Sequence, residues 1–199
     1  MRVLERLGFC IVLYCFAFIH PPLQGKPRRQ STPASQSQDA AHDGQHDFDP
    51  LVGHWRYHLK RRLHPLTGSN EWVEYEGTGT CRKIWDGSEI EQAIFDGPNA
   101  HIEGFVIRLY NPESHQWRLY WTARKSGIFD PPQVGEFKNG RGVFVAQDTI
   151  NGKTILIRYE WTNLNTESPH FEQSFSDDGG KTWEVNWIAS DTRVNHESR

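Results

Sequence analysis

The feature that most constrains this chain is a succession of short segments in which apolar and polar residues alternate, each followed by a turn signal. Asn139-Gly140 and Asn151-Gly152 favour two-residue hairpin turns, and Asp86-Gly87 is a third signal of this kind. Alternation with a period of two is typical of strands that bury one face. With no long helical pattern between them, about eight to ten such strands predict an all-β, up-and-down antiparallel barrel.

The turn between the last two predicted strands has a motif of its own. It reads Ser-x-Asp-x-Gly-x-Thr-Trp at Ser176, Asp178, Gly180, Thr182 and Trp183, which resembles the Asp-box hairpin of sialidase-type propellers and other β-proteins. The resemblance implies that the Ser and Asp side chains accept hydrogen bonds from turn amides and that the Trp packs under the loop. We interpret the motif as structural. It occurs once, and a folded span of roughly 150 residues is too short for a six-bladed propeller.

The two ends of the chain differ in composition from the predicted barrel. Residues 1–25 combine a basic start with a thirteen-residue apolar run at 7–19, which is short of the about 20 residues that a membrane span needs. They predict a signal peptide and hence export to a periplasm or the exterior, with an uncleaved membrane anchor as the alternative. Residues 26–46 predict a disordered linker, 47–193 the barrel domain and 194–199 a C-terminal tail.

Charge and cysteine content limit the classes of partner. The formal net charge is −3, with 22 basic and 25 acidic residues, which argues against nucleic acid as a partner. We expect no stable membrane span once the signal is removed, and the sequence leaves the oligomeric state open. Cys10 and Cys15 fall within the signal, so Cys81 is predicted to be a buried, inert thiol. His42, Asp43 and His46 have metal-ligating side chains, but their predicted flexibility leads us to expect no metal site and no cofactor.

Gly53-His54-Trp55 resembles the Gly-x-Trp signature of lipocalins and related calycin barrels, in which the Trp closes one end of the barrel. Across 47–193 the chain also resembles a bacterial family of unknown function with a lipocalin-like predicted fold. Five segments carry that resemblance: 47–55, 64–68, 71–74, 102–104 and 175–184. It implies the fold and bacterial export, and it supplies no catalytic residues.

The inward-facing side chains suggest a function. The predicted interior combines an apolar wall, which includes Phe105 and Ile107, with a few tyrosines and glutamines, a proportion suited to orienting an apolar ligand. We hypothesise that a small hydrophobic molecule binds among Trp55, Tyr57, Tyr75, Gln92, Trp117, Trp121, Gln147, Tyr159, Gln173 and Trp187. The alternative is a filled barrel, acting as a structural or surface-interaction domain, in which each Tyr and Gln has a partner within the protein.

No motif identifies a catalytic site. The sequence lacks a Gly-x-Ser-x-Gly elbow, a His-Glu-x-x-His helix, a phosphate-binding loop and a Cys-x-x-Cys pair. The strand carboxylates are predicted to face solvent and to pair with arginines such as Arg108. A barrel enzyme, an isomerase or hydrolase acting on a small hydrophobic substrate, stays as the second hypothesis. It would need Tyr57, Tyr75, Lys83 or an inward-facing Glu91 as its titratable group.

Overall fold

The computed structural model describes residues 43–194. The predicted signal peptide, most of the predicted linker and all but the first residue of the predicted tail lie outside the described residues. Within them, ten antiparallel strands form a closed barrel in which every strand pairs with its sequence neighbours and the first pairs with the last. This confirms the predicted up-and-down barrel. The strands are β1 (Gly53–Arg62), β2 (Trp72–Trp85), β3 (Ser88–Asp96), β4 (His101–Asn111), β5 (Gln116–Ala123), β6 (Gln133–Lys138), β7 (Arg141–Ile150), β8 (Lys153–Thr162), β9 (His170–Ser176) and β10 (Glu184–Arg193).

A short segment before β1 closes one end of the barrel. It contains a single 3-10 turn, Asp49–Leu51, and the fully buried ring of Phe48. The Phe48 ring lies 5.0 Å, centroid to centroid, from Trp117 and from Phe137. The indole nitrogen of Trp117 donates a hydrogen bond to the Gly44 carbonyl at 2.9 Å. Gly44, which precedes the predicted start of the barrel domain at residue 47, therefore contacts the barrel, and the boundary between linker and barrel stays a prediction.

The last residue of β10 is attached to this closed end. The Arg193 guanidinium lies 4.2 Å from the centre of the Trp55 ring, and it donates to the carbonyls of Val52 at 3.0 Å and Pro50 at 2.5 Å. Gly53 has φ +143, and a Cβ there would lie 2.6 Å from Arg193 Nη1. Glycine at this position therefore leaves space for the arginine, and Trp55 closes the barrel end as the resemblance implied.

The turn between β9 and β10 has the hydrogen bonds expected of a structural turn. Ser176 Oγ accepts from the Gly180 amide at 2.8 Å, and Asp178 accepts from the Lys181 and Thr182 amides at 3.0 Å. The indole nitrogen of Trp183 donates to the Gly180 carbonyl at 3.1 Å. Hydrogen bonds to the carboxylate, chiefly from Thr182, hold the pKa of Asp178 below its usual range.

The prediction of which side chains face the barrel interior is confirmed in β8 and wrong in β3 and β4. Tyr159 and Trp161 of β8 are buried. In β3 and β4, however, the buried side chains include Glu89, Glu91 and Arg108, and the residues predicted to face inward, Gln92, Phe105 and Ile107, lie on the opposite parity. Glu89 pairs with Arg108 in the β3–β4 register, so the strands direct an ion pair inward.

The wall prediction therefore fails for Phe105 and Ile107, which belong to the outer face of β4. The ring of Phe129, in the loop after β5, lies 5.7 Å from the Phe105 ring. Gln92 of β3 is exposed between two buried neighbours, and Gln147 of β7 is exposed next to buried Ala146, so their predicted inward placement is also wrong. Within the described range, no helix is long and apolar enough to cross a membrane.

Candidate functional site

A cavity of about 340 Å³ occupies the barrel interior. It extends from a layer of buried charged groups toward the barrel end opposite the one that the Phe48 segment closes. At that end, Arg61, Arg62 and Pro65 form part of its rim. Its wall is mainly apolar, with side chains from β3, β4, β5, β7, β8, β9 and β10: Ala93, Phe95, Val106, Leu119, Trp121, Ile150, Ile157, Tyr159, Trp161, Phe171, Phe175, Trp187 and Ala189.

The deep end of the cavity is built around Arg108, whose side chain is almost completely buried. The guanidinium forms an ion pair with Glu91, lies 3.5 Å from Glu89 Oε2 and stands 4.9 Å above the Phe48 ring. Burial alone would favour the neutral form of Arg108, but the neighbouring carboxylates outweigh it and raise the pKa. Arg108 is therefore a fixed positive charge between two acidic side chains.

Tyr57 of β1 completes this arrangement from the opposite side of Glu91. Its hydroxyl donates to Glu91 Oε1 at 2.5 Å, and burial together with the Glu91 charge raises the pKa of Tyr57. Gly79 of β2 provides the space, because a Cβ there would overlap the Tyr57 ring and hydroxyl. Two glycines of β2 are thus sites of close approach, Gly77 by Phe95 and Gly79 by Tyr57.

Two carboxyls of this layer have incomplete hydrogen bonding, Glu89 of β3 and Asp191 of β10, and of the two it is Asp191 that lines the cavity. It is 3% exposed and lines the cavity, and its Oδ1 atom has no hydrogen-bond partner among the described residues. Burial, with the Glu91 charge adding to it and Arg108 opposing it, raises the pKa of Asp191 well above its usual value. The buried Trp161 indole nitrogen, also on the cavity wall, likewise has no partner in this part of the chain.

Glu89 of the layer and its neighbour Cys81 are buried but do not line the cavity. Burial raises the pKa of Glu89 to about 7 against the opposing charge of Arg108. Cys81 Sγ donates to Glu89 Oε2 at 3.5 Å, and burial raises the pKa of this thiol. The sulfur is therefore protonated and unsuited to act as a nucleophile, in keeping with the predicted inert role.

Polar groups also occur midway up the cavity and at its rim. Gln173 Nε2 donates to Asn186 Oδ1 at 2.7 Å, and both side chains line the cavity. A β-bulge between Val185 and Trp187 explains how Asn186 and Trp187, although consecutive in β10, both line the cavity. At the rim, burial and the nearby charge of Asp148 raise the pKa of Asp130.

The structure brings together half of the residues predicted for the ligand site. Tyr57, Trp121, Tyr159, Gln173 and Trp187 all line the cavity. A further three, Trp55, Tyr75 and Trp117, are buried in the surrounding core but do not line it. Gln92 and Gln147 point outward, as described above.

Sequence reasoning missed three polar residues that shape the deep end: Arg108, Asp191 and, except as an alternative, Glu91. A signal for Asp191 was present, since Trp187, Ala189 and Asp191 alternate along one parity of β10. The described residues contain no group of three or more His, Cys, Asp and Glu side chains placed to hold a metal ion.

The fold and its cavity define a lipocalin-like, calycin-type β-barrel. No family model matches the chain, and no curated protein matches it, so the resemblance to a bacterial family of unknown function stays a prediction. Among solved structures, the chain is similar to Rv2717c from M. tuberculosis, with a TM-score of 0.53 and 11% identity over 76% of this chain and 98% of that one. It is also similar to the S-type phycobiliprotein lyase CPES from Guillardia theta, with a TM-score of 0.49 and 11% identity over 75% of this chain and 92% of that one. Identities this low show likeness of fold alone.

Proposed function

We propose that this protein binds a small, largely apolar molecule inside the barrel. The observation that carries the proposal is the cavity itself, about 340 Å³ with a mainly apolar wall, which lies within the range of small-molecule sites. A filled barrel would have side chains in this space. The cavity therefore favours the ligand-binding hypothesis over the structural one.

The distribution of polar groups suggests how the molecule is oriented. Asp191, Tyr57 and Glu91 lie at the deep end, and most of the wall above them is aliphatic or aromatic. A ligand with one polar end would place that end on the deep layer and its apolar body against the wall. The proposal includes export of the protein. Its basis is the composition of residues 1–25, which lie outside the described residues.

The barrel-enzyme hypothesis gains support from one feature. Asp191 is a buried carboxyl with a raised pKa that faces the cavity, and such a group can transfer protons at neutral pH. The candidate acid for that hypothesis is therefore Asp191 rather than Lys83 or Tyr75. Catalysis would be favoured over carriage if the wild-type protein turns over a substrate and Asp191→Asn still binds that substrate but does not turn it over.

The binding proposal can be tested by filling the cavity. We would purify the full chain, Ala189→Leu and Ser190→Leu from a bacterial host, and compare native with denaturing mass spectrometry. Ala189 lines the cavity, whereas Ser190 is the next residue of β10 and is exposed. Ala189→Leu should therefore fold but retain no small molecule, while the wild type and Ser190→Leu should both release one on unfolding.

A contrary result would be equally clear. If all three proteins show a bare protein mass, and no lipid or hydrophobic metabolite in a broad panel raises the wild-type melting temperature, the binding proposal is wrong. Ligand binding to the native state must stabilise it by mass action, so a true ligand in excess cannot leave the melting temperature unchanged.

A further inference from the structure

We infer that the ligand carries a basic nitrogen that is protonated in water. At the deep end of the cavity, this positively charged nitrogen forms an ion pair with Asp191. This inference rests on the proposed binding function and specifies the class of molecule. Two observations support it: an excess of acidic groups in the deep layer and an unpaired carboxyl oxygen that lines the cavity.

The charge balance of the deep layer comes first. Glu89, Glu91 and Asp191 contribute three buried carboxyls, and Arg108 contributes one guanidinium. The other basic side chains that line the cavity, Arg61 and Arg62, lie at the rim. Arg62 is already occupied there, donating to the Val185 and Ser69 carbonyls, both at 2.9 Å. Within the part of the chain that the structure describes, the layer holds three carboxyls and one guanidinium, so it has more acidic than basic groups.

The hydrogen bonds of the layer show which of the carboxyls that line the cavity lacks a hydrogen-bond donor. Arg108 lies between Glu91 and Glu89, and Tyr57 gives its hydroxyl proton to Glu91. Asp191 Oδ1 is buried and has no partner among the described residues. A buried acceptor without a donor is costly, and a ligand entering the cavity is the available source of one.

The groups that face Asp191 favour a cation over other polar ends. They are Tyr57 from β1, Glu91 from β3 and Arg108 from β4. An anionic ligand would meet Glu91 at close range, and the Nη atoms of the guanidinium that could attract it already face Glu89 and Glu91. A neutral hydroxyl could donate to Asp191 but would leave the acidic excess in place. A protonated amine supplies both the missing donor and the missing charge.

Binding of the amine should release a proton. With the cavity empty, burial and the Glu91 charge raise the pKa of Asp191 and so favour its protonated form. When the ammonium group binds, the carboxyl proton passes to the buffer, and Asp191 forms an ion pair and a charge-assisted hydrogen bond with the ligand. The reaction exchanges a protonated ligand and a protonated carboxyl for a complex and one free proton.

The test uses three probes with the same alkyl chain: octylamine, octanol and octanoate. Isothermal titration with the full chain should show octylamine binding about tenfold or more tighter than either of the others. Octylamine titrated near neutral pH in two buffers of different ionisation enthalpy should show release of about one proton, a readout that needs no variant.

Two variants locate the effect. Asp191→Asn should weaken octylamine binding about thirtyfold and leave octanol binding within about twofold, because the amide keeps the shape of the protonated acid without its charge. Glu113→Gln changes a carboxyl in the exposed turn between β4 and β5, outside the cavity, and it should leave both affinities unchanged. Thermal unfolding of each variant verifies that it is folded.

Failure of this inference can be told apart from failure of the proposed function. If octanol or octanoate binds as tightly as octylamine, or if Asp191→Asn binds the amine like the wild type, the basic nitrogen is wrong and the binding site stands. A neutral or acidic co-purifying molecule that Ala189→Leu excludes would likewise overturn the basic nitrogen and leave the binding site in place. If no probe binds and nothing co-purifies, the proposed function is wrong and this inference falls with it.

Discussion

At the residue scale, Arg108 shows how a charged side chain can belong to a barrel interior. Removing a guanidinium from water costs several kcal/mol unless opposite charges surround it. Glu89 and Glu91 provide those charges from the neighbouring strand β3, and the rings of Phe48 and Trp161 lie 4.9 and 5.5 Å from the guanidinium carbon. Each member of the cluster therefore depends on the others.

Replacing Arg108 should reveal that dependence. Arg108→Met leaves two buried carboxyls without a counter-charge, and we expect a loss of about 3–5 kcal/mol in the free energy of unfolding, measured by urea denaturation. Arg118→Met, on the exposed face of β5, is the matched control and should change stability by less than about 0.5 kcal/mol. Equal losses for the two variants would contradict the cluster.

Glu89 predicts a particular dependence of stability on pH. Its pKa in the folded protein is about 7, raised by burial from the usual 4.5, so the folded state holds the proton more tightly than the unfolded state does. The resulting stabilisation is complete below the unfolded pKa and is lost as the pH rises through the folded pKa. Between about pH 5 and pH 8, the free energy of unfolding should therefore fall, with Glu89 contributing at most about 3 kcal/mol.

Glu89→Gln provides the measurement. Glutamine stays neutral, so the fall in stability over that range should become shallower, with the remaining slope due in part to Asp191, whose pKa is also raised. Glu113→Gln, in the exposed turn between β4 and β5, should reproduce the wild-type profile. Parallel profiles for wild type and Glu89→Gln would show that Glu89 is not protonated on folding.

At the element scale, the turn between β9 and β10 depends on one carboxylate. Asp178→Ala removes the acceptor for the Lys181 and Thr182 amides. We expect a lower melting temperature and faster hydrogen exchange at those amides, measured by NMR, with amides in β4 unaffected. Lys181→Ala, which removes an exposed side chain and no acceptor, should keep the wild-type exchange rates. Unchanged rates in Asp178→Ala would remove the structural role assigned to the carboxylate.

The strands differ in how well their sequences predict their facing. In β8, the inward residues Ile155, Ile157, Tyr159 and Trp161 are all apolar or aromatic, so alternation identifies the buried face directly. In β3 and β4 the inward positions include charged residues, and Ile90 and Phe105 lie outside. Hydrophobic alternation therefore predicts the wrong face of these two strands. The prediction of a barrel of about eight to ten strands survives this error, because turn signals and strand lengths do not depend on facing.

The same reasoning explains which site residues were predicted. Trp121, Tyr159 and Trp187 were found because aromatic side chains at inward positions follow the alternation. Arg108 and Glu91 were missed because their inward placement depends on an ion pair between β3 and β4, and a single sequence does not show which partner a charged residue will meet. Gln92 was misplaced by the same reversal of β3.

At the scale of the whole molecule, the barrel has one closed end, and the closing segment is not part of the sheet. The Phe48 ring also lies 5.5 Å from Phe144 and 6.2 Å from Trp161, and the guanidinium of Arg108 packs above it. The segment that precedes β1 thus packs against the deep layer of the cavity from the closed end of the barrel.

Removing the Phe48 ring should therefore affect both stability and binding. Phe48→Ala should lower the free energy of unfolding by about 3–5 kcal/mol, as for other fully buried aromatic residues, and should weaken retention of a cavity ligand. Phe129→Ala, at a ring that is 49% exposed on the outer surface, should cost about 1 kcal/mol or less. Urea denaturation and native mass spectrometry measure the two effects, and equal losses for the two variants would contradict the role of Phe48.

The pairing of β1 with β10 has a consequence for the order of events during synthesis. Trp55 lies opposite Arg193 in the sheet, so the first strand to leave the ribosome acquires its second neighbour only when the last strand has been made. Pairings between such distant segments form slowly. Until then both sheet edges and the apolar interior are open to other chains. A truncated product would be prone to aggregation, and only the finished domain can enclose a ligand.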